Sequence, residues 1–121
     1  MRSRDSRITL RQMYDHASEA LDMVRHRVRS DLDHDRMLNL ALVRLLEILG
    51  EAANRVPPEE RALHIGIPWP QLSGLRNRLI HEYDHVDFDI LWQILTQDLP
   101  PLARELERIV LDASQVEGEG G

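Results

Sequence analysis

Apolar side chains recur at steps of three and four residues along the first part of the chain. The set consists of Leu10, Met13, Ala17, Leu21, Val24 and Val28. This spacing places them on one face of an α-helix, and we predict a first helix over residues 8–30. Thr9 is the predicted N-cap, because Gln12 follows three residues later and completes a capping box.

A second stretch, which follows a polar turn at 30–35, is apolar on most sides. It contains Met37, Leu38, Leu40, Ala41, Leu42, Leu45, Leu46, Ile48, Leu49, Ala52 and Ala53. A helix of this kind lies at the centre of a domain or is buried again in an oligomer interface. We predict that this helix ends at Pro57-Pro58. The connection that follows it is predicted to contain one helical turn at 58–63.

Two more helices follow in the second half of the chain. The third begins near Pro70, a residue suited to the first helical position, and the fourth begins near Asp87 after a turn at 84–87. Their apolar sets are Leu72, Leu75 and Leu79, and then Ile90, Leu91, Ile94, Leu95 and Leu99. Pro100-Pro101 kinks or breaks the fourth helix, and the apolar stripe resumes to Val110. Since no stretch has the period of a strand, the fold class is all-α, a bundle of four or five helices.

Composition fits one helical domain. The chain has 121 residues, of which 42% are hydrophobic but only 4% aromatic, so an aliphatic core of packed helices is favoured. We divide it into a flexible N-terminus (1–7), the helical domain (8–111) and a disordered acidic, glycine-rich tail (112–121). Without cysteine, disulfides and thiolate sites are excluded. Without a long apolar run or a signal-peptide pattern, a cytoplasmic protein with no membrane partner is expected.

The net charge of −6 argues against a generic nucleic-acid binder, although all 15 positively charged residues are arginines. Any contact with RNA must therefore be local. Arg76, Asn77, Arg78, His81 and Tyr83 form the candidate cluster. Arginine offers phosphate a permanent cation with a planar donor fork, and histidine exchanges protons near neutral pH. Together they suffice to cleave RNA through attack by the ribose 2′-OH, without a metal or another cofactor.

The roles within the cluster follow from this chemistry. His81 would be the general base or acid, and Arg76 would bind the scissile phosphate. Asn77 could bind phosphate or orient His81, Arg78 could contact the RNA backbone or pair with Glu82, and Tyr83 could stack on a base. On one straight helix Arg76 and His81 would lie about 140° apart. Either the helix ends near His81, or two copies meet about a two-fold axis and form a composite site.

A structural interpretation of the same residues stays open. His81 could be a surface residue, Arg76 an ion-pair partner of Glu82 or Asp84, and Tyr83 a residue at the core edge. Four of the remaining histidines look solvated, or lie in turns and connections: His16, His26, His34 and His64. His85 is near the motif and could contribute, but a role as a turn residue is favoured. His81 and His85 have the spacing of helical metal ligands, but no third ligand is evident, so no metal site is predicted.

Four segments carry a family resemblance. Residues 75–83 (LRNRLIHEY), 86–92 (VDFDILW), 98–102 (DLPPL) and 47–54 (EILGEAAN) together resemble the HepT-like branch of the HEPN superfamily. The likeness covers about residues 8–110. The chain departs from the family's pattern around residues 82–85, where the family often has glycine or another small or apolar residue. The additional acids there would repel RNA.

The resemblance implies an HEPN-type up-down helical bundle that forms a two-fold homodimer with the motif at the dimer cleft. It implies a metal-independent endoribonuclease, acting on tRNA or mRNA, that is the toxin of a toxin–antitoxin pair. The implied partner is an MntA-like nucleotidyltransferase antitoxin, which adds AMP to the motif tyrosine. By position, Arg76 and His81 match the catalytic pair, Asn77 the polar partner and Tyr83 the modified tyrosine.

Two rival functions follow from the residues. The chain could be a non-catalytic helical dimer that binds a nucleotide or a nucleotidyltransferase without cutting RNA, which the acidic charge favours. It could also be a purely structural dimer in which the cluster is a salt-bridge network. Loss of cleavage with retained stability in Arg76→Ala would exclude the structural alternative.

Overall fold

The computed structural model describes the backbone of residues 4–81 and 85–120, and the side chains of 5–81 and 85–112. The elements are α1 (Arg4–Val24), α2 (Asp31–His34), α3 (Arg36–Arg55), α4 (Pro58–Arg61), α5 (Trp69–Ser73), α6 (Leu75–Leu79), β1 (Ile80–His81), β2 (His85–Val86), α7 (Phe88–Gln93), a π-helical turn (Ile94–Asp98) and α8 (Leu99–Gly120). The predicted all-α class is confirmed, with two very short strands added.

The core lies between three long helices, because α1 packs against both α3 and α8. Its largest fully buried side chains are almost all aliphatic: Leu10, Met13, Leu32, Leu42, Leu46, Leu49, Leu79, Leu91, Ile94, Leu95, Leu99 and Leu106. Burial of each such side chain contributes about 1.5–3 kcal/mol. The aliphatic core expected from the scarcity of aromatic residues is therefore present.

The boundaries predicted for the first helix were wrong at both ends. The helix already begins at Arg4, and Thr9 lies inside it, where its hydroxyl donates to the Asp5 carbonyl at 2.9 Å. Bonding to the carbonyl four residues back is the usual alternative to capping for a threonine within a helix. The helix ends at Val24 rather than near residue 30, since His26 adopts the left-handed conformation with φ of 67°, which α-helices do not continue through.

Polar groups close both ends of α3. At its start the Asp35 side chain accepts from the Leu38 backbone N–H at 3.0 Å, as an N-cap. Beyond its end, Arg61 from α4 donates to the carbonyls of Val56 at 2.8 Å and Ala53 at 3.4 Å. A cation at a helix C-terminus is favourable. The predicted end near Pro57 and the helical turn after it are confirmed.

The third predicted helix is divided into α5 and α6, which meet at Gly74. Its chain then leaves the helical conformation at Ile80 and pairs as β1 with β2. Near Gly50, α3 and α5 approach so closely that a Cβ there would lie 3.0 Å from the Leu72 carbonyl oxygen. The absence of a side chain at Gly50 therefore allows α5 and α6 to pack closely against α3.

The Pro100-Pro101 pair does not break the helix as predicted, because the chain stays helical from α7 through a π-helical turn into α8 and changes register immediately before the prolines. The five residues Ile94–Asp98 form a π-helical turn, and the Leu99 N–H bonds to the Ile94 carbonyl. Both prolines then occupy the first turn of α8, where backbone N–H groups need no helical partner. α8 extends to Gly120, past residue 112, and the predicted division into domain and disordered tail stays a prediction.

Within residues 4–81 and 85–120, no helix is long and apolar enough to cross a membrane.

Candidate active site

A short hairpin presents His81. β1 and β2 pair antiparallel with Ile80 opposite Val86 and His81 opposite His85. Successive side chains on a strand point to opposite faces. Ile80 and Val86 pack against the core, whereas His81 and His85 are both exposed. The pairing therefore puts the two histidines side by side on the outer face of the hairpin.

Asp87 fastens the hairpin to α7. Its backbone N–H donates to the Leu79 carbonyl at 3.0 Å, which continues the pairing of the strands. Its carboxylate accepts from the N–H groups of Asp89 and Ile90 at 3.0 and 3.1 Å and caps α7. One residue thus joins the end of α6, β2 and the start of α7.

Arg76 lies on α6 and borders two cavities. The larger, which we call the Arg76 cavity, has a volume of 590 Å³ and is also lined by Arg36, Asn39, Glu47 and His85. Two arginines and a histidine in its wall could bind an anionic ligand such as a phosphodiester, and the carboxylate of Glu47 in the same wall would oppose it.

The smaller cavity, of 230 Å³, lies between α3 and α6. It is lined by Arg76 and Asn77 together with Glu47, Glu51 and Asn54. Asn77 is exposed and borders this cavity rather than the larger one. The structure thus brings Asn77 next to Arg76 but not into the wall that contains His85.

Arg76 is exposed, and within the part of the chain that the structure describes it forms no ion pair. Arg36 differs, since its guanidinium donates to the Asn39 side-chain oxygen at 3.0 Å. This hydrogen bond to a neutral amide holds the Arg36 side chain and leaves its positive charge uncompensated by that partner.

Arg78 belongs to a different part of the surface. Two of its guanidinium nitrogens donate to the same Asp98 oxygen, each at 3.2 Å. It borders an apolar cavity of 500 Å³ beside the π-helical turn. Of the three residues of the cluster on α6, Arg78 is thus the one not placed at either cavity that Arg76 borders. Tyr83, and the possible partners Glu82 and Asp84, lie outside the described residues.

Sequence reasoning gave no site role to three polar residues of the Arg76 cavity: Arg36, Asn39 and Glu47. Arg36 lies forty residues before Arg76, and nothing in its local pattern marks it. Glu47 was included only in the family-like segment. His85 was interpreted mainly as part of a turn at 84–87, although a contribution to the motif was considered.

Comparison with known proteins shows the family to which this chain belongs. A model of the family described as "Ribonuclease HepT-like" matches residues 2–109. The chain belongs to the HepT-like ribonuclease family. The predicted resemblance is confirmed, and so is the predicted enzyme class, a ribonuclease.

Curated relatives agree with this membership. "Putative RNase TTE0752" of Caldanaerobacter subterraneus is 34% identical over 84% of this chain and 95% of its own. "Putative RNase MJ1380" of Methanocaldococcus jannaschii is 31% identical over 88% and 98%. "Probable ribonuclease HepT" of Thermococcus cleftensis is 33% identical over 76% and 87%. No solved structure matches significantly.

Proposed function

We propose that this HepT-like ribonuclease is a metal-independent endoribonuclease toxin that cuts RNA through attack by the ribose 2′-OH. The observation that carries the proposal is the arrangement of charge at the site. Arg76 and Arg36 line one cavity with His85, and His85 is the strand partner of His81. A phosphodiester bound to these arginines would lie beside the hairpin that presents both histidines.

In this mechanism His81 takes the 2′-OH proton or gives a proton to the leaving 5′-oxygen. The 2′-oxygen attacks phosphorus, the bond to the 5′-oxygen breaks, and the products are a 2′,3′-cyclic phosphate and a 5′-hydroxyl end. Arg76 would stabilise the additional negative charge on the phosphorane oxygens, as a positioned cation does in other phosphoryl transfers. Asn77 would hydrogen-bond the flanking backbone from the smaller cavity, and Arg78 would contribute at most a distant RNA contact.

The proposed partners follow the family resemblance. They are a second copy of the chain, an RNA substrate (tRNA or mRNA) and an MntA-like nucleotidyltransferase antitoxin that adds AMP to Tyr83, as in type VII-like systems. An AMP group at Tyr83, two residues after His81 in sequence, would add bulk and negative charge near the site. That change would exclude RNA and so neutralise the toxin.

Cleavage of labelled tRNA and mRNA by purified protein in excess EDTA tests the nuclease. Arg76→Ala and His81→Ala should each lower the rate by about 10²-fold or more, since removal of a transition-state donor or a proton-transfer group has effects of this size. Arg104→Ala and His16→Ala, which change the same residue types on α8 and α1, should leave the rate within a factor of two or three. A His81→Ala protein that cleaves like wild type would reject the mechanism.

The alternative function is a non-catalytic dimer that binds a nucleotide or a nucleotidyltransferase. The acidic residues Glu47 and Glu51 beside Arg76 and the net charge of −6 favour it, because both oppose RNA binding. It requires a stable complex with the partner and no RNA cleavage by the free protein. The EDTA experiment separates the two functions, and intact mass after co-expression with the neighbouring gene tests AMP addition, which Tyr83→Phe should abolish.

A further inference from the structure

His85 lies where a second proton-transfer group is needed. Residues directly opposite each other in an antiparallel pair have side chains on the same face, with Cβ atoms about 4.5–5.5 Å apart. His81 and His85 form such a pair, and both are exposed. Two imidazoles at this separation can reach two oxygens of one phosphodiester.

We propose that His85 is a second catalytic residue of RNA cleavage and that it divides the two proton transfers with His81. The inference rests on the proposed nuclease function. One neutral imidazole takes the proton of the 2′-OH as its oxygen attacks phosphorus. The other, protonated, gives its proton to the 5′-oxygen as the phosphorus–oxygen bond breaks. The two histidines exchange protonation states in one turnover, and water restores them.

The charged groups around His85 fit this role. Arg36 and Glu47 from α3 and Arg76 from α6 line the same cavity, and His81 lies opposite on β1. The two arginines would hold the phosphate next to the imidazole. His85 therefore borders the place where phosphate would bind, rather than a separate surface.

A structural role for the His85 side chain has little support. Within the described residues its imidazole makes no hydrogen bond or ion pair with the protein, and it is exposed. The strands are joined through backbone groups and through the Ile80 and Val86 side chains on the opposite face. Replacement of the imidazole should consequently leave the hairpin and the fold intact.

The experiment compares His85→Ala, His85→Gln, His81→Ala and His16→Ala on one RNA substrate, with kcat, KM and thermal midpoint measured for each. We expect His85→Ala and His85→Gln to lower kcat by about 10²–10⁴-fold, the usual contribution of general acid–base catalysis. KM and thermal midpoint should stay near the wild-type values. In wild type, kcat should rise and then fall with increasing pH, because one histidine must be neutral and the other protonated. In the His85 variants, kcat should change with pH in one direction only.

A second substrate, in which sulfur replaces the 5′-oxygen at the cleavage site, shows which histidine is the general acid. A thiolate leaves without protonation, so loss of the acid no longer slows cleavage of this substrate. Near wild-type cleavage of this substrate by His85→Ala would make His85 the acid. The same recovery in His81→Ala instead would make His85 the base, and either result supports the pair.

Three outcomes would overturn the inference. If His81→Ala is inactive while His85→Ala keeps kcat within threefold and a two-limbed pH profile, His85 is not catalytic and the nuclease assignment survives. If His85→Ala loses activity only together with its thermal midpoint, and His85→Gln is fully active, its role is structural. If wild type cuts no RNA, both this inference and the proposed function fail.

Discussion

Arg76 differs from many of the other arginines because, within the described residues, it forms no ion pair, although Glu47 and Glu51 line cavities that it borders. Arg25, Arg27 and Arg29 each lie within 3.5 Å of an aspartate oxygen, and Arg78 is paired with Asp98. In an acidic protein, arginines paired in this way contribute little to the attraction of RNA. Under the proposed function, Arg76 and Arg36 would supply the local positive charge that binds a phosphate in a chain of net charge −6.

At the scale of residues, the sequence alone indicated Arg76 and His81, because their types carry the chemistry. It indicated His85 only as a neighbour of the motif that could contribute, since the relation between two histidines four apart depends on the backbone between them. On a helix they would be neighbours along one face, whereas in the hairpin they are cross-strand partners. Only the observed end of α6 at Leu79 distinguishes these arrangements.

Glu105 provides a prediction of pH dependence at this scale. The Arg108 guanidinium donates to it at 2.5 Å and, with a smaller contribution from the charge of His64, holds the pKa of the Glu105 carboxyl below its ordinary value of 4.5. A carboxyl whose pKa is lower when folded stabilises the fold above its unfolded pKa, and this stabilisation disappears as the pH falls through the folded value. We expect Glu105→Gln to lower the thermal midpoint at pH 7, and this effect should shrink as the pH falls below 4.5.

Thermal melts of wild type and Glu105→Gln from pH 7 to pH 3 measure this difference. Glu107→Gln is the matched control, because it removes a carboxylate from α8 without the Arg108 contact, and a glutamine oxygen at this position can still accept the hydrogen bond that the Tyr14 hydroxyl donates at 3.2 Å. A gap between wild type and Glu105→Gln that is the same at both ends of the pH range would show that packing, rather than the charge of Glu105, is responsible.

At the scale of elements, short polar contacts decided where helices end, and these were only partly predictable. The start of the fourth helix was placed near Asp87 because it follows a polar turn at 84–87 and precedes an apolar run, and an aspartate in this position is a frequent N-cap. The end of α6 carried no such signal, since Leu72, Leu75 and Leu79 continue the helical spacing without interruption. Pairing of Ile80 with Val86, a contact between separate segments, ended the helix there.

The N-cap of α7 can be tested directly. Asp87→Ala removes two hydrogen bonds to backbone N–H groups, and loss of a helix cap costs about 0.5–2 kcal/mol of folding free energy. Since Asp87 also borders β2, we expect a loss of RNA cleavage as the hairpin loosens, with His81 itself unchanged.

Urea unfolding gives the free energy, and the same preparations give the cleavage rate. Asp89→Ala is the control, because Asp89 lies in the same helical turn but forms only a surface ion pair with Arg29 at 2.8 Å. Equal losses of stability in Asp87→Ala and Asp89→Ala would mean that general charge at the helix start matters more than the cap.

At the scale of the whole molecule, the fold class was the most predictable property. Aliphatic side chains with helical spacing and few aromatics leave helix-on-helix packing as the way to build a core, and α1, α3 and α8 pack in that way. What the pattern left undecided was whether α3, apolar on most sides, is covered by the rest of its own chain. In the structure it is covered only in part, because Met37 and Leu40 remain 83% and 51% exposed.

These two side chains support the proposed homodimer. Leu40 lines the Arg76 cavity, and Met37 lies one turn earlier on α3, so an interface over this surface would border the candidate site. An exposed apolar surface next to a functional cavity is typical of an association site. In such a dimer the two cavities would lie near the two-fold axis, and each phosphate could be contacted by arginines of both copies.

We therefore expect Met37→Glu combined with Leu40→Glu to convert a dimer into a monomer and to reduce RNA cleavage, while the thermal midpoint measured at low protein concentration changes little. Light scattering during size-exclusion chromatography gives the mass. Leu63→Glu combined with Ile65→Glu is the matched control, because these residues are 61% and 89% exposed in the connection between α4 and α5. A wild-type monomer that cleaves RNA, or a Met37→Glu, Leu40→Glu monomer with full activity, would show that one chain holds the complete catalytic site.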